Sequence, residues 1–275
     1  MTSSSTTNTN VTPSAIVLIV ALGAIFGSAF TLIKVLVDDL TPLEMAAGRL
    51  TLGAIAIAAF FGARGKLSLP ARSMLAPIAI LAALDTLIPY ALVGWAESHI
   101  DSGAAAVLIS AMPLFTVAFA AALGDEHVSG GRLAGIGLGF AGVMVLVGSP
   151  AAFRESDALG QFAVIGAAAS YAAGALLARR LMARINAPSL VASKLVVGAV
   201  LASVVTLGAG QGEGLASLSA QHAAALVALG VVCTGLSFVL YFRLVAEAGS
   251  VAGSTVTYVI PAFGLLFGAI FLGEQ

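Results

Sequence analysis

Asp85 stands near the middle of the apolar run 73–95, within Ala83-Leu84-Asp85-Thr86-Leu87-Ile88-Pro89-Tyr90. A carboxylate at that depth in a bilayer is costly, which makes it a functional candidate by default. On a helix turning about 100° per residue, Thr86, Pro89, Tyr90, Val93 and Glu97 fall within roughly 140° of it. This is one polar and aromatic side, suited to a cavity rather than to lipid. Two chemistries fit the carboxylate: holding an ammonium group, or taking a proton. The plain alternative is a buried Lys or Arg partner, or a cap on a helix broken near Pro89. The sequence names no partner.

A second constellation has the same pattern without the charge. Thr234, Ser237, Phe238 and Tyr241 share an arc of a later apolar run, and Cys233 takes the place of Asp85. Tyr90, Phe238 and Tyr241 could stack on a flat or apolar ligand; packing is the alternative, favoured for Phe238 alone. Pro113 and Pro261 sit inside apolar runs and leave the carbonyls of Ile109 and Thr257 without their helical donors. Ser110 and Tyr258 each precede a proline by three residues. These kinks are expected to line or hinge a central cavity, unless they are inert and tolerated for packing.

Arg49, Lys34 and Glu44 allow a gate, in which Arg49 pairs with nearby acids in one state only. The competing reading is snorkelling to the interface, which is also expected of Lys194. Trp95 reads as an interfacial anchor and His99 as a solvated neighbour. Gly131, Gly135 and Gly139, the Gly264/Gly268 pair, and Gly166, Ser170 and Gly174 recur every four residues, a spacing that lets helices approach closely. Packing within one chain, compatible with a monomer, is the expected use; a dimer face is the alternative. The single cysteine, Cys233, excludes an intrachain disulfide and reads as a small packing residue. His99, His127 and His222 lack metal-ligand spacing, and no nucleophile elbow or phosphate loop follows a strand. Neither a metal, a cofactor nor catalysis is expected.

These residues need elements to position them. Of the 275 residues, 60% are hydrophobic and 9% charged, and the mean hydropathy is +1.07. A soluble domain of this length carries about a quarter charged residues, so lipid is the solvent that fits. The net charge of −1 gives no support to a nucleic-acid partner. The fold class is therefore an all-α polytopic membrane protein with the bilayer as its principal partner. Runs long enough to cross it occupy 14–36, 43–62, 73–95, 102–123, 131–149, 158–180, 188–208, 222–243 and 249–272. Residues 1–12, rich in Ser, Thr and Asn, read as a disordered tail. The first run reads as a retained helix, because no basic residue precedes it. With the N-terminus in the cytoplasm, Arg64, Lys66, Arg72, Arg132, Arg179, Arg180, Arg184 and Arg243 all fall inside, and of the loop residues only Arg154 falls outside. That orientation satisfies the positive-inside bias.

An internal repeat is visible. One shift lays Thr86 on Thr234, Leu92 on Leu240, Ser102 on Ser250, Pro113 on Pro261 and Phe115 on Phe263; a slightly smaller one lays Pro42 on Pro188. The units are 13–150 and 151–275. The first holds five runs, an odd number, so the second must sit upside down, as in secondary transporters. A tenth helix is expected beyond Gln275.

Phe26-Gly27-Ser28-Ala29-Phe30 with Lys34, then Arg49, then Ser102 through Pro113 to Leu123-Gly124-Asp125-Glu126, resembles the drug/metabolite transporter superfamily, EamA-domain branch. The echo at Pro261 and Leu272-Gly273-Glu274 resembles its second unit. The resemblance covers nearly the whole chain; Phe26 departs from a frequent Trp. It implies two inverted five-helix units in the cytoplasmic membrane, both termini inside, exporting amino acids, other metabolites or drugs. The aromatic amino-acid exporter type is the most similar. In that reading Asp85 serves an ammonium, while Ser110, Thr234, Ser237 or kinked backbone serves a carboxylate. Runs three, four, eight and nine line the cavity, and transport proceeds by alternating access. A different cargo on the same fold, or a membrane enzyme or scaffold, would be the alternatives.

Overall fold

The computed structural model describes residues 12–123, 134, 135, 138, 141 and 158–274, with the backbone alone over 249–255. The tail before residue 12, the acidic residues 125–126 and most of the expected fifth run lie outside the described residues, and so does its glycine stripe apart from Gly135. Among the described residues, seven helices are long and apolar enough to cross a membrane. They are α1 (Pro13–Leu36), α2 (Pro42–Gly62), α3 (Arg72–Ala96), α4 (Ser102–Ala122), α5 (Ala158–Leu181), α6 (Ala187–Gly208) and α7 (Ala220–Ala248); the shorter apolar α8 covers Val256–Leu272. No strand occurs among the described residues. The boundaries follow local chemistry. Thr41 caps α2 in a capping box with Glu44 ahead of Pro42, and Asn186 caps α6 by accepting from the Ser189 amide.

α7 and α8 are joined by helical backbone, Ser237–Phe267, yet they cannot form one rod. Ser28 touches Cys233 (Oγ to Sγ 3.7 Å), while a Cβ on its neighbour Gly27 would lie 2.6 Å from that of Phe263. Thirty residues of straight helix would separate Cys233 and Phe263 by about 45 Å. The chain therefore reverses between them, and both arms pack on α1. Leu244 and Val256 accordingly share one cluster with Ala15, Leu18 and Leu22.

The directions of the contacts carry the topology. Gly48 faces Leu226, Gly53 faces Thr234 and Gly235 faces Ala56, so α2 and α7 run parallel. Asp85 meets Lys194 and Thr86 meets Gly198, with Ile78 and Leu190 in one cluster, so α3 and α6 run parallel too. Because α2 and α3 are successive spans of opposite direction, α3 and α7 oppose each other. Outward faces are apolar, as lipid requires: Val17, Ile55, Val200, Val204 and Phe271 are exposed.

Pro113 and Pro89 each stand in the first turn of an α-helical stretch, directly after a change of helix type. A 3₁₀ turn at Ile109–Ala111 precedes Pro113, and the Met112 amide takes the Ile109 carbonyl that proline would have orphaned. Before Pro89, Ala83–Leu87 widens to a π turn and the Ile88 amide bonds to the Ala83 carbonyl. A π stretch also covers Ala228–Leu236, so both helices widen where Asp85 and Cys233 lie. Pro261 lies in the interior of its α-helix, with no such change of helix type before it.

The small residues are used inside the chain. Gly174 lies against Asp85, Gly166 faces Leu92, and Gly264 faces Ala106. At Gly27 an added methyl would meet the Phe263 Cβ at 2.6 Å and the Gly264 amide nitrogen at 2.9 Å. Backbone cannot swing aside, so Gly27→Ala should cost roughly 1–3 kcal/mol through overpacking. Thermal unfolding in detergent checks this; an unchanged midpoint would contradict the close packing of α1 on α8.

Candidate functional site

Three charged side chains, Asp85, Lys194 and Arg49, stand well inside their helices. Asp85 pairs with Lys194, whose side chain is 5% exposed against 17% for Asp85. The Lys194 ammonium also lies 4.4 Å from the centre of the Phe238 ring. Snorkelling, expected for Lys194 from the sequence, is thus replaced by an internal ion pair. The π turn around Asp85 and the absence of a side chain at Gly174 make room for it.

Arg49 also turns inward. It is 7% exposed, its Nε donates to Thr234 Oγ1 at 2.7 Å, and its guanidinium stacks 3.8 Å from the centre of the Tyr90 ring. Its Nη groups make no hydrogen bond among the described residues. Tyr90 meets Tyr171 of α5 edge-on, centroids 6.3 Å apart. Together these side chains are three ionised groups and three aromatic rings, with a net charge of +1. Such a set can hold a carboxylate and an ammonium in aromatic surroundings.

The contacts come in matched pairs across the repeat. Arg49 over Tyr90 is mirrored by Lys194 over Phe238. Gly53 against Thr234 is mirrored by Gly198 against Thr86. Ser28 beside Cys233 is mirrored by Gly174 beside Asp85. Asp85 is the clear asymmetry, because its counterpart is the buried free thiol of Cys233.

Other sequence candidates fall around or away from this cluster. Thr86 donates to the Ala82 carbonyl, and Ser237 donates to the carbonyls of Cys233 (2.8 Å) and Thr234 (3.2 Å). Both hydroxyls are fully buried. Ser110 bonds to Val107 within its own turn. Tyr241 packs in the cluster of α1, α7 and α8. Tyr258 is 68% exposed and stands outside the cluster.

Lys34, Glu44 and Arg49 each find a different partner. Lys34 Nζ donates to the carbonyls of Glu97 (2.7 Å) and Ile100 (2.8 Å). Glu44 accepts from the Thr41 amide and hydroxyl and from the amides of Gly212 (2.8 Å) and Gly214 (2.9 Å). It straps the start of α2 to the loop after α6. At the same end His222 pairs with Asp39, and Glu274 accepts from Ser102 and Gly103. These ties join the two halves of the chain across that end. Near the opposite end lies a cleft of about 570 Å³ lined by Ser68, Leu69, Pro70, Ser73, Arg184 and Asn186, remote from the charge cluster.

Sequence reasoning missed Lys194 and Tyr171. The available signal for Lys194 was the repeat, since nearly the shift that lays Pro42 on Pro188 also lays Arg49 on Lys194. Tyr171 adjoins Ser170 in the small-residue stripe, but nothing in the sequence directed it towards Tyr90.

The pattern of the EamA-like transporter family matches residues 13–148 and 158–275, two stretches in one chain. The chain belongs to the EamA-like transporter family. It is 28% identical over 252 residues to a protein of Streptantibioticus cattleyicolor named "Probable terminal-alkyne amino-acid exporter", covering 90% of this chain and 82% of that one. It is 24% identical over 270 residues to the "Probable amino-acid metabolite efflux pump" of Escherichia coli K12, covering 94% and 87%. It is 26% identical over 255 residues to the "Uncharacterized inner membrane transporter YedA" of the same strain, covering 92% and 81%. A solved structure described as "Crystal structure of protein" superposes with a TM-score of 0.64 at 21% identity, covering 95% of this chain and 90% of that one. This likeness shows the fold. The protein is thus an integral membrane transporter of EamA type.

The Asp85–Lys194 pair is sealed enough that breaking it leaves a buried charge. Lys194→Met should cost roughly 3–5 kcal/mol, and the double variant Asp85→Asn/Lys194→Met should recover most of that loss. A double-mutant cycle on thermal unfolding measures it; additive losses would mean that the two side chains do not act as a pair.

Proposed function

We propose that this EamA-type transporter exports amino acids with aromatic or apolar side chains across the cytoplasmic membrane by alternating access, N-terminus inside. The observation that carries the reading is Arg49. A guanidinium buried well inside α2, with Nε committed and both Nη groups without a described partner, suits a substrate carboxylate. Asp85 supplies the complementary charge for the ammonium once it exchanges Lys194 for the substrate. Tyr90, Tyr171 and Phe238 provide ring faces for the side chain. The printed names of the two relatives called exporter and efflux pump support this cargo class.

The matched contacts support two inverted units that rock around the cluster. The ties of Glu44, Asp39 and Glu274 close one end in this conformation. Exposed Arg64, Lys66, Arg72, Arg179, Arg180, Arg184 and Arg243 favour the other end as cytoplasmic. The matched family pattern contains transporters and supports no catalytic role.

The test is counterflow of labelled L-phenylalanine, L-leucine and L-lysine into liposomes containing the full chain. Exchange of phenylalanine and leucine is expected, with lysine excluded by the local positive charge. Arg49→Gln should raise KM about tenfold or more, in line with a lost charged hydrogen bond, and Asp85→Asn/Lys194→Met, which leaves no unpaired buried charge, should lower the rate while the protein stays folded. Exchange indifferent to both variants would refute the site.

A further inference from the structure

Four buried side-chain atoms have no hydrogen-bond partner among the described residues: Thr31 Oγ1, both carboxylate oxygens of Glu97, and Gln161 Oε1. Glu97 and Gln161 belong to segments that pack on each other. Glu97 follows the last turn of α3 and is fully buried. Gln161 follows Gly160, where an added Cβ would meet Ile100 Cγ2 at 2.9 Å, His99 Cβ at 3.1 Å and the Ala96 carbonyl at 3.4 Å. The start of α5 therefore lies directly on the end of α3. Thr31 stands one turn before Lys34, whose ammonium reaches the same end.

The Glu97 carboxylate has no hydrogen-bond donor among the described residues. Glu97 and Gln161 present acceptor oxygens, and buried acceptors without donors are rare and demand an explanation. Lys34, the cation at hand, gives hydrogen bonds to two main-chain carbonyls rather than to the carboxylate. An ionised carboxylate enclosed without a donor is strongly disfavoured, whereas a protonated one supplies the missing O–H itself. Burial pushes the Glu97 carboxyl well above its ordinary range; Lys34 from α1 pulls it down, Glu274 beyond α8 adds to the rise, and Arg49 from α2 pulls it down. His99 and Asp101, in the same loop, are exposed. A metal ion would need room and several ligands; a proton needs neither.

We propose that Glu97 is the proton-binding site that couples transport: neutral while the end tied by Glu44 and Glu274 is closed, and ionised when that end opens. Opening transfers the carboxyl proton to water at the outer face and leaves a carboxylate; that end closes again as one proton is taken back from the cytoplasmic side, and no other bond changes. A pH gradient can then bias which end is open. This rests on the transporter reading above and adds the coupling ion to it.

The full chain in liposomes tests it with two readouts. Counterflow of L-phenylalanine at equal pH reports transport itself, and net uptake against a pH gradient reports coupling. Glu97→Gln should keep counterflow and lose the stimulation by the gradient. Infrared spectra of the wild-type protein at neutral pH should show a buried protonated carboxyl band, absent in Glu97→Gln and shifted in Gln161→Leu. Gradient stimulation retained in Glu97→Gln, stimulation by sodium instead of protons, or no neutral carboxyl band would each overturn the proposal. Should Glu97→Gln fail to fold, the wild-type band and its response to Gln161→Leu still decide. Loss of counterflow with every amino acid in the wild type would sink the transporter reading instead, with the infrared band judging Glu97 separately.

Discussion

Charge in a hydrocarbon-spanning core must be neutralised or hydrogen-bonded within the protein. Arg49, Asp85 and Lys194 impose that demand, and much of the architecture answers it. Thr234 and the Tyr90 ring receive Arg49. The Phe238 ring and Asp85 receive Lys194. Gly174, Gly53 and Gly198 clear the space that lets five helices, α2, α3, α5, α6 and α7, come close enough to do so. Pro89 and the π turn before it displace the backbone of α3 at the very residue that carries the charge. π turns of this kind are frequent at functional sites because they re-aim side chains without ending a helix.

The near-symmetry of the cluster gives it two sides with different chemistry. One side offers a guanidinium, a hydroxyl and a thiol; the other offers an ammonium already engaged by a carboxylate. Repetition supplies the frame, and the replacement of a thiol by Asp85 makes the two sides unequal. A zwitterion matches that inequality better than a simple anion or cation does. The ends of the molecule differ as well. Glu44 binds amides across one end, while at the other end Ser189 meets the amide and hydroxyl of Ser68. A charged acceptor holds its amides more strongly than a neutral hydroxyl does, which favours the conformation seen here.

Much of the fold was legible because lipid leaves few options. Apolar length alone located the described spans to within a residue or two for α1 to α6, while which helices would face one another was not legible. Asp85 was legible because an acid in an apolar run has no bland surface to occupy. Its partner was not. Periodicity shows which side of a helix a residue takes, but not which neighbour occupies that side, and Lys194 lay close enough to a helix end to pass for a snorkelling residue. Glu97 was legible as part of the same polar side as Asp85, but not its full enclosure, because a position near the end of α3 looks interfacial until α5 is packed over it. Tyr258 was misleading in the opposite sense: its repeat position suggested the cavity, and the structure turns it outward.

The central claim is that this cluster faces a compartment that substrate enters. Cys233, the chain's single cysteine, is the repeat counterpart of Asp85 and reports on that compartment without any substitution. The decisive measurement is the rate at which a small permeant maleimide modifies Cys233 in liposomes, with and without L-phenylalanine. The account predicts slow modification, slowed further by the amino acid as its carboxylate and ring fill the space beside Arg49 and Tyr90. Modification that proceeds at the same rate whatever amino acid is present would contradict it.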